Sequence, residues 1–287
     1  MGRFLMTPTL VRHHPSAASA RTGARAYARA RDWAEIQERM LVPLYEAVYE
    51  RLEVGAATRL LGLDCGAGLA LLVAASRGAH VTGVDADPAF VAHARGRLAD
   101  DGAPGDHPGS VVCGTPADAV DGAPYNLVTA FAPIGCAGGD ADGLTPALEA
   151  AVPLVGRGEP VVLTGWGPPE RCATSAVLRV ATRLTDSPRA SGPGGWRPAL
   201  RDDLEDVASR SGLKPDGSGR VACPFGYGDM DSAVRGLLST GLFDAAVRAT
   251  DPAQVEKELV EALHPHLRPD GTVWMPNVFR YLIARKP

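Results

Sequence analysis

A chain of 287 residues with 45% hydrophobic side chains is long enough for one large α/β domain with additions. A formal net charge of -4 argues against a nucleic-acid-binding surface, and no run approaches the roughly 20 apolar residues of a membrane span. Five cysteines, an odd count without a C-x-x-C pair, argue against a disulfide framework or a zinc site and fit reduced thiols in the cytoplasm.

Residues 1–23, rich in Ser, Ala, Thr, Pro and Arg, read as a mobile N-terminal tail without a secretory signal. His13 and His14 in it read as solvated. From residue 24 the pattern turns helical, with Tyr27 and Trp33 as the first large residues. Leu41, Leu44, Tyr45, Val48 and Leu52 follow at helical spacing and give one apolar face. Pro43 ends one helix or opens the next at its first turn.

Residues 60–98 are the most informative stretch. Residues 60–63 are a short buried strand with Asp64 at its end, and Gly66 and Gly68 allow a sharp turn that approaches a ligand closely. Residues 69–76 supply a helix, and residues 81–84 a second strand with Asp85 at its tip. Asp87-Pro88 then starts another helix, Asp as N-cap and Pro at the first helical position, with Phe90, Val91, Ala94 and Leu98 facing inward. His93 on that helix reads as solvated.

This unit calls for a nucleoside cofactor. A nicotinamide fingerprint would put Leu71 in the third small position and the Asp64 carboxylate beside a diphosphate, where like charges repel. S-adenosylmethionine carries an ammonium and a sulfonium instead, which a carboxylate attracts. The run Asp64-x-Gly66-x-Gly68-x-Ala70, followed by Asp85, resembles the class I, Rossmann-like S-adenosylmethionine-dependent methyltransferases, of the type that modifies small molecules and natural products.

The resemblance implies a doubly wound α/β fold: a seven-stranded, mostly parallel sheet with an antiparallel last strand, an N-terminal helical cover and a helical insertion before that strand. It divides 24–287, a single domain, into a lid (24–55), a cofactor-binding core (56–167) and substrate-side helices with the C-terminal strands (168–287). It also implies that Asp64, Gly66, Ala67 and Gly68 hold the methionine part of the cofactor and that Asp85, with Ala86, takes the ribose. Tyr27 and Trp33 become lid residues against the substrate, with helix anchoring as the alternative.

The remaining elements follow in order. Residues 101–109 read as a loop and 110–113 as the third strand. In the family an acid after the glycine at this strand's end takes the adenine. Here Thr115 stands at that position and Pro116 has no N–H to offer, so Thr115, Ala117 or Asp118 is left for the adenine edge. Residues 125–130 are the fourth strand, with Phe131 just beyond it as an apolar wall for cofactor and substrate, or as a core aromatic. Thr145-Pro146 caps the next helix. Residues 160–164 are the fifth strand, followed by Trp166 and Glu170 on the substrate side; Glu170 alternatively favours the N-terminus of a helix running to residue 184. Residues 187–198 are a Gly/Pro-rich loop, and residues 220–225 the sixth strand. Helices over 229–238 and 251–264, the second opened by the box-like Asp251-Pro-Ala-Gln254, form the insertion before the last strand, 277–284.

The expected activity is methyl transfer from S-adenosylmethionine, with S-adenosylhomocysteine as product, to O, N or C of a small molecule such as a bacterial secondary metabolite or its precursor. The expected partner is that acceptor, with no nucleic acid or membrane; a homodimer is allowed. No metal site is expected. Glu170, Tyr227 and His266 are the titratable candidates for a general base, each with a structural alternative. Three other readings stay open: a cyclase on the same fold that retains the cofactor, a peptide or protein methyltransferase, and a cofactor-binding subunit without catalysis.

Overall fold

Alternating apolar strands and amphipathic helices put the chain on both faces of one sheet. The computed structural model describes residues 17–100, 109–120, 124–185 and 196–287. The strands are β1 (Arg59–Leu63), β2 (His80–Asp85), β3 (Ser110–Cys113), β4 (Leu127–Ile134), β5 (Pro160–Trp166), β6 (Lys214–Ala222), β7 (Phe225–Tyr227), β8 (Val273–Met275) and β9 (Val278–Arg285). The helices are α1 (Ala17–Asp32), α2 (Val42–Arg51), α3 (Leu69–Ser76), α4 (Pro88–Asp100), α5 (Asp140–Ala151), α6 (Thr174–Leu184), α7 (Asp203–Arg210), α8 (Met230–Ser239), α9 (Asp244–Ala249) and α10 (Pro252–Leu263).

The seven-stranded sheet has the order β3-β2-β1-β4-β5-β9-β6. Pairing is parallel from β3 to β5, and β9 inserts antiparallel between β5 and β6. Successive strand residues point to opposite faces. Leu60, Leu127 and Val162 accordingly belong to one core, under α2, α3, α4 and α6, while Leu61, Leu63, Val128, Val161 and Leu163 join α5 and α7 in the other. Burial on both faces is what a crossover-connected parallel sheet requires. The order reverses at β1, with β2 on one side and β4 on the other, and a crevice at such a switch point is where ligands bind.

Leu71 explains the local packing. It fills the position that a nicotinamide fingerprint gives to a small residue, and the room comes from the strands instead. A Cβ on Gly62 would lie 2.8 Å from the Leu71 side chain, and one on Gly83 only 2.4 Å from it. Bare backbone on β1 and β2 lets α3 sit close with a leucine in its first turns.

Several boundaries differ from the sequence reading. Helix α1 begins at Ala17, so residues 17–23, expected in the tail, are helical; His13 and His14 lie outside the described residues, as do 101–108 and 186–195 of two expected loops. Strand β4 runs to Ile134, but its register against β5 shifts between Ala130 and Ile134, so Phe131, Ala132 and Pro133 bulge from the ladder at the strand's end. Helix α5 starts at Asp140, not at Thr145, and holds Pro146 inside. The Asp140 carboxylate accepts from the N–H groups of Gly135, Cys136 and Ala137 at 2.7–3.0 Å and pairs with Arg197, which fixes the loop after β4. Strand β6 covers Lys214–Ala222 rather than 220–225; its Pro, Gly and polar residues suit an exposed edge and hide the strand period. Phe225–Tyr227 pairs instead with β8, across the helical insertion, in a small antiparallel two-stranded sheet of its own. Helix α3 and strand β3 match their expected bounds. Among the described residues, no helix is long and apolar enough to cross a membrane.

Candidate active site

The site grows from the end of β1. Asp64 takes φ +44°, a left-handed conformation that short polar residues tolerate, and Gly66 follows at φ +54°. The turn is held to β2 from two sides. Cys65 N–H donates to the Val84 carbonyl at 3.0 Å, and Gly66 N–H donates to Asp85 Oδ2 at 2.9 Å. Asp85 Oδ1 accepts from Asp87 N–H at 2.8 Å, so one carboxylate organises both the glycine turn and the start of α4. Burial raises the pKa of both Asp64 and Asp85, and for Asp85 the two backbone N–H groups oppose the shift.

The N-terminal segment closes over this turn. Between α1 and α2 the helix widens into a π turn (Trp33–Gln37) and tightens into a 3-10 turn (Glu38–Leu41). Such irregular turns mark functional places in helices. Here they bring Trp33, Gln37, Glu38 and Leu41 to one cavity. The buried Glu38 carboxylate accepts from Leu69 N–H at 3.2 Å and pairs with Arg97 at 2.6 Å. Arg97 also donates to the Ala67 and Ala34 carbonyls at 2.8 and 3.1 Å. Lid, glycine turn and α4 are thereby joined through one ion pair. Neither Gln37 nor Glu38 stood out in the sequence, because a helical wheel does not anticipate a π turn.

The cavity encloses about 190 Å³ and runs from Asp64, Cys65 and Gly66 past Phe131 and Pro133 to Trp166, Phe225 and Phe279. Asp64, Gly66, Phe131, Trp33 and Trp166 line it. Ala67 is fully buried behind the turn, and Gly68 packs against α4, where a Cβ would meet that of Ala94 at 2.8 Å. Ala86, Thr115 and Ala117 lie on the exposed strand ends beside Asp85. Thr115 caps the 3-10 turn Pro116–Ala119, its Oγ1 and N–H both donating to Asp118 at 2.8 and 2.9 Å, which holds the Asp118 carboxyl below the usual carboxylate range.

Other expected residues fall elsewhere. Tyr27 is 55% exposed and stacks on His93 at 4.9 Å, over a separate groove between α1 and α4. Glu170 is exposed in the 3-10 turn Pro169–Arg171, facing an arginine-bearing groove on the other side of Trp166. Tyr227 is buried and donates to Gln37 Oε1 at 2.9 Å, and burial raises its pKa. His266 lies in a 3-10 turn after α10, its pKa lowered by partial burial. None of these four lines the cavity at the glycine turn. Among the described residues, no three His, Cys, Asp or Glu side chains gather as a ligand set for a metal ion.

A sheet of order β3-β2-β1-β4-β5-β9-β6, with the glycine turn after β1 and an acid at the end of β2, is similar to the fold of solved S-adenosylmethionine-dependent methyltransferases. Magnesium protoporphyrin IX methyltransferase of Synechocystis, solved with bound S-adenosylhomocysteine, is similar to it at TM-score 0.51 and 13% identity over 93% of this chain and 94% of that one. An S-adenosylmethionine-dependent methyltransferase of Geobacter sulfurreducens, also in complex with S-adenosylhomocysteine, gives TM-score 0.50 and 17% identity over 89% of this chain and 97% of that one. The (4+2)-cyclase SpnF gives TM-score 0.50 and 16% identity over 85% of this chain and 80% of that one. At these identities the likeness is one of fold. No protein-family model matches the sequence, and no curated protein matches it.

Proposed function

We propose that the chain is a methyltransferase that uses S-adenosylmethionine to modify a small molecule. The observation that carries this is the charge around the glycine turn. Glu38, Asp64 and Asp85 surround it, and Glu38 already accepts from Leu69 N–H, the first turn of α3 where a diphosphate would rest. Glu38 is paired with Arg97 and occupies the helix N–H, while the Asp64 and Asp85 carboxylates repel a diphosphate and attract an ammonium and a sulfonium.

The residues present fit this cofactor. A Cβ at Gly66 would lie 3.0 Å from Trp33 Nε1, so the bare glycine leaves a cradle. Trp33 Nε1 is buried beside the Glu38 carboxylate and places an N–H donor at the methionine end. In this reading Asp64, Gly66 and Ala67 hold the amino-acid part and Gly68 permits the turn. Asp85 and Ala86 take the ribose, the strand ends at Thr115 and Ala117 border the adenine, and Phe131 walls the junction with the acceptor. When bound, the cofactor supplies a methyl group whose bond to sulfur breaks as the acceptor's bond to carbon forms, leaving S-adenosylhomocysteine and a proton. The chain's own part is to orient, to desolvate and to exclude water. A tailoring role on a bacterial secondary metabolite is the finer form of this proposal.

Calorimetry with S-adenosylhomocysteine tests it. Submicromolar to micromolar binding is expected, with a loss of at least tenfold in Asp85→Ala, because the ribose hydroxyls lose a charged acceptor. No binding to the wild-type chain would refute the cofactor. A second reading, a cyclase that retains the cofactor, is favoured by one observation: among the described residues, the acceptor end of the cavity presents no carboxylate or histidine to act as a base. Conversion of an acceptor without formation of S-adenosylhomocysteine would select it.

A further inference from the structure

The cavity is divided by charge. Its charged lining residues, Glu38 and Asp64, both sit at the glycine-turn end. Beyond Phe131 the wall is an aromatic cluster: Trp166 meets Phe225 edge-on at 5.9 Å and Phe279 at 4.7 Å, and Phe225 and Phe279 stack at 6.0 Å. Leu178, Leu237 and Leu242 complete that end.

Its few polar groups are committed or inert as bases, among them the uncharged Gln37 amide, whose Oε1 accepts from Tyr227 at 2.9 Å. Thr240 Oγ1 donates to the Leu237 carbonyl at 2.6 Å, and Thr174 Oγ1 points to the Met275 sulfur at 3.6 Å. Burial raises the pKa of the Tyr45 hydroxyl and of the Cys136 thiol, so both stay protonated at neutral pH. Among the described residues, an ion entering this end would shed its water and find no opposite charge to replace it. An uncharged ring system loses nothing comparable and gains dispersion and aromatic contact.

We infer that the acceptor is an uncharged, largely hydrocarbon ring molecule, held by the aromatic end of the cavity beyond Phe131. The ring-binding part stands on the cavity alone; that the bound ring is the methyl acceptor rests on the methyltransferase reading.

The experiment uses three naphthalenes of one shape: 2-naphthol, naphthalene-2-sulfonate and 2-naphthylmethylammonium. Each is titrated calorimetrically into the full chain, free and saturated with S-adenosylhomocysteine. The neutral naphthol should bind at least tenfold tighter than either ion. Leu242→Lys places a cation at a partly exposed position of this end. It should weaken naphthol and tighten the sulfonate at least fivefold while S-adenosylhomocysteine affinity holds, with thermal unfolding reporting the fold. Equal or tighter binding of either ion to the wild-type chain, absence of naphthol binding, or a Leu242→Lys variant with an unchanged ranking would overturn the inference. Naphthol binding without S-adenosylhomocysteine binding would sink the cofactor reading and leave the ring site standing; the reverse result would do the opposite.

Discussion

Replacing Gly83 by Ala tests whether the glycine turn is positioned by bare strand backbone. The added Cβ would lie 2.4 Å from Leu71 Cδ1, 2.8 Å from Cys65 Sγ and 3.2 Å from Cys65 Cβ. The first contact is more than 1 Å inside the roughly 3.5–4.0 Å optimum for carbon pairs. Leu71 is 1% exposed and cannot swing into solvent, so α3 or the turn must shift. Overpacking of this kind costs about 1–3 kcal/mol, offset by about 0.5 kcal/mol from the stiffer unfolded chain. A net loss of about 1–2 kcal/mol is expected in urea unfolding followed by far-ultraviolet circular dichroism. Leu71→Ala alone should cost about 3–5 kcal/mol through its cavity. The double variant should cost about 1–2 kcal/mol less than the sum, because the methyl group added on β2 then enters space that Leu71 has left. Strict additivity, or a Gly83→Ala variant within about 0.5 kcal/mol of the wild type, would refute the packing argument.

Other expectations follow from the same site. Glu38→Ala removes one partner of a buried ion pair and the acceptor for Leu69 N–H; a loss of about 3 kcal/mol and a Tm lower by about 5 °C are expected, and an unchanged Tm would show that the lid is not held there. Trp33→Phe keeps an aromatic ring but removes the indole N–H, and S-adenosylhomocysteine should bind about fivefold more weakly, the worth of one net hydrogen bond; equal affinity would remove Trp33 from the cofactor site. Burial raises Asp64 and Asp85 above the carboxylate value of 3.8, so both take up protons on acidification earlier than they would in the unfolded chain. That uptake favours the ligand-free fold as pH falls through this window, while it removes the charges that attract the cofactor. Affinity should therefore decline as the pH falls toward the carboxylate range, beginning above the ordinary value of 3.8, and an affinity unchanged down to that value would contradict the role of the two acids.

The sequence by itself determined the sheet's first half and the kind of ligand it suits. Short apolar runs ending in Asp64 and Asp85, with Gly66 and Gly68 between, are local signals: strand length, left-handed turn and helix cap are decided within a few residues. The same holds for Asp87-Pro88 and Asp251-Pro252, whose carboxylates cap α4 and α10 as their positions suggest. The antiparallel last strand was legible through the family resemblance. Tertiary structure decided what depends on residues far apart in the chain. Glu38 matters because Arg97 and Leu69 meet it across the lid, Asp140 because three backbone N–H groups of a preceding loop fold back onto it. Trp33 turned toward the glycine turn and Tyr27 away from it through a π turn that helical periodicity cannot foresee. Edge strand β6 hid its period because one side faces water and its Gly and Pro residues carry no hydrophobic signal. The charge-free aromatic end of the cavity is assembled from β5, α6, β7, α8 and β9, and no single stretch of sequence contains enough of it to reveal what it binds.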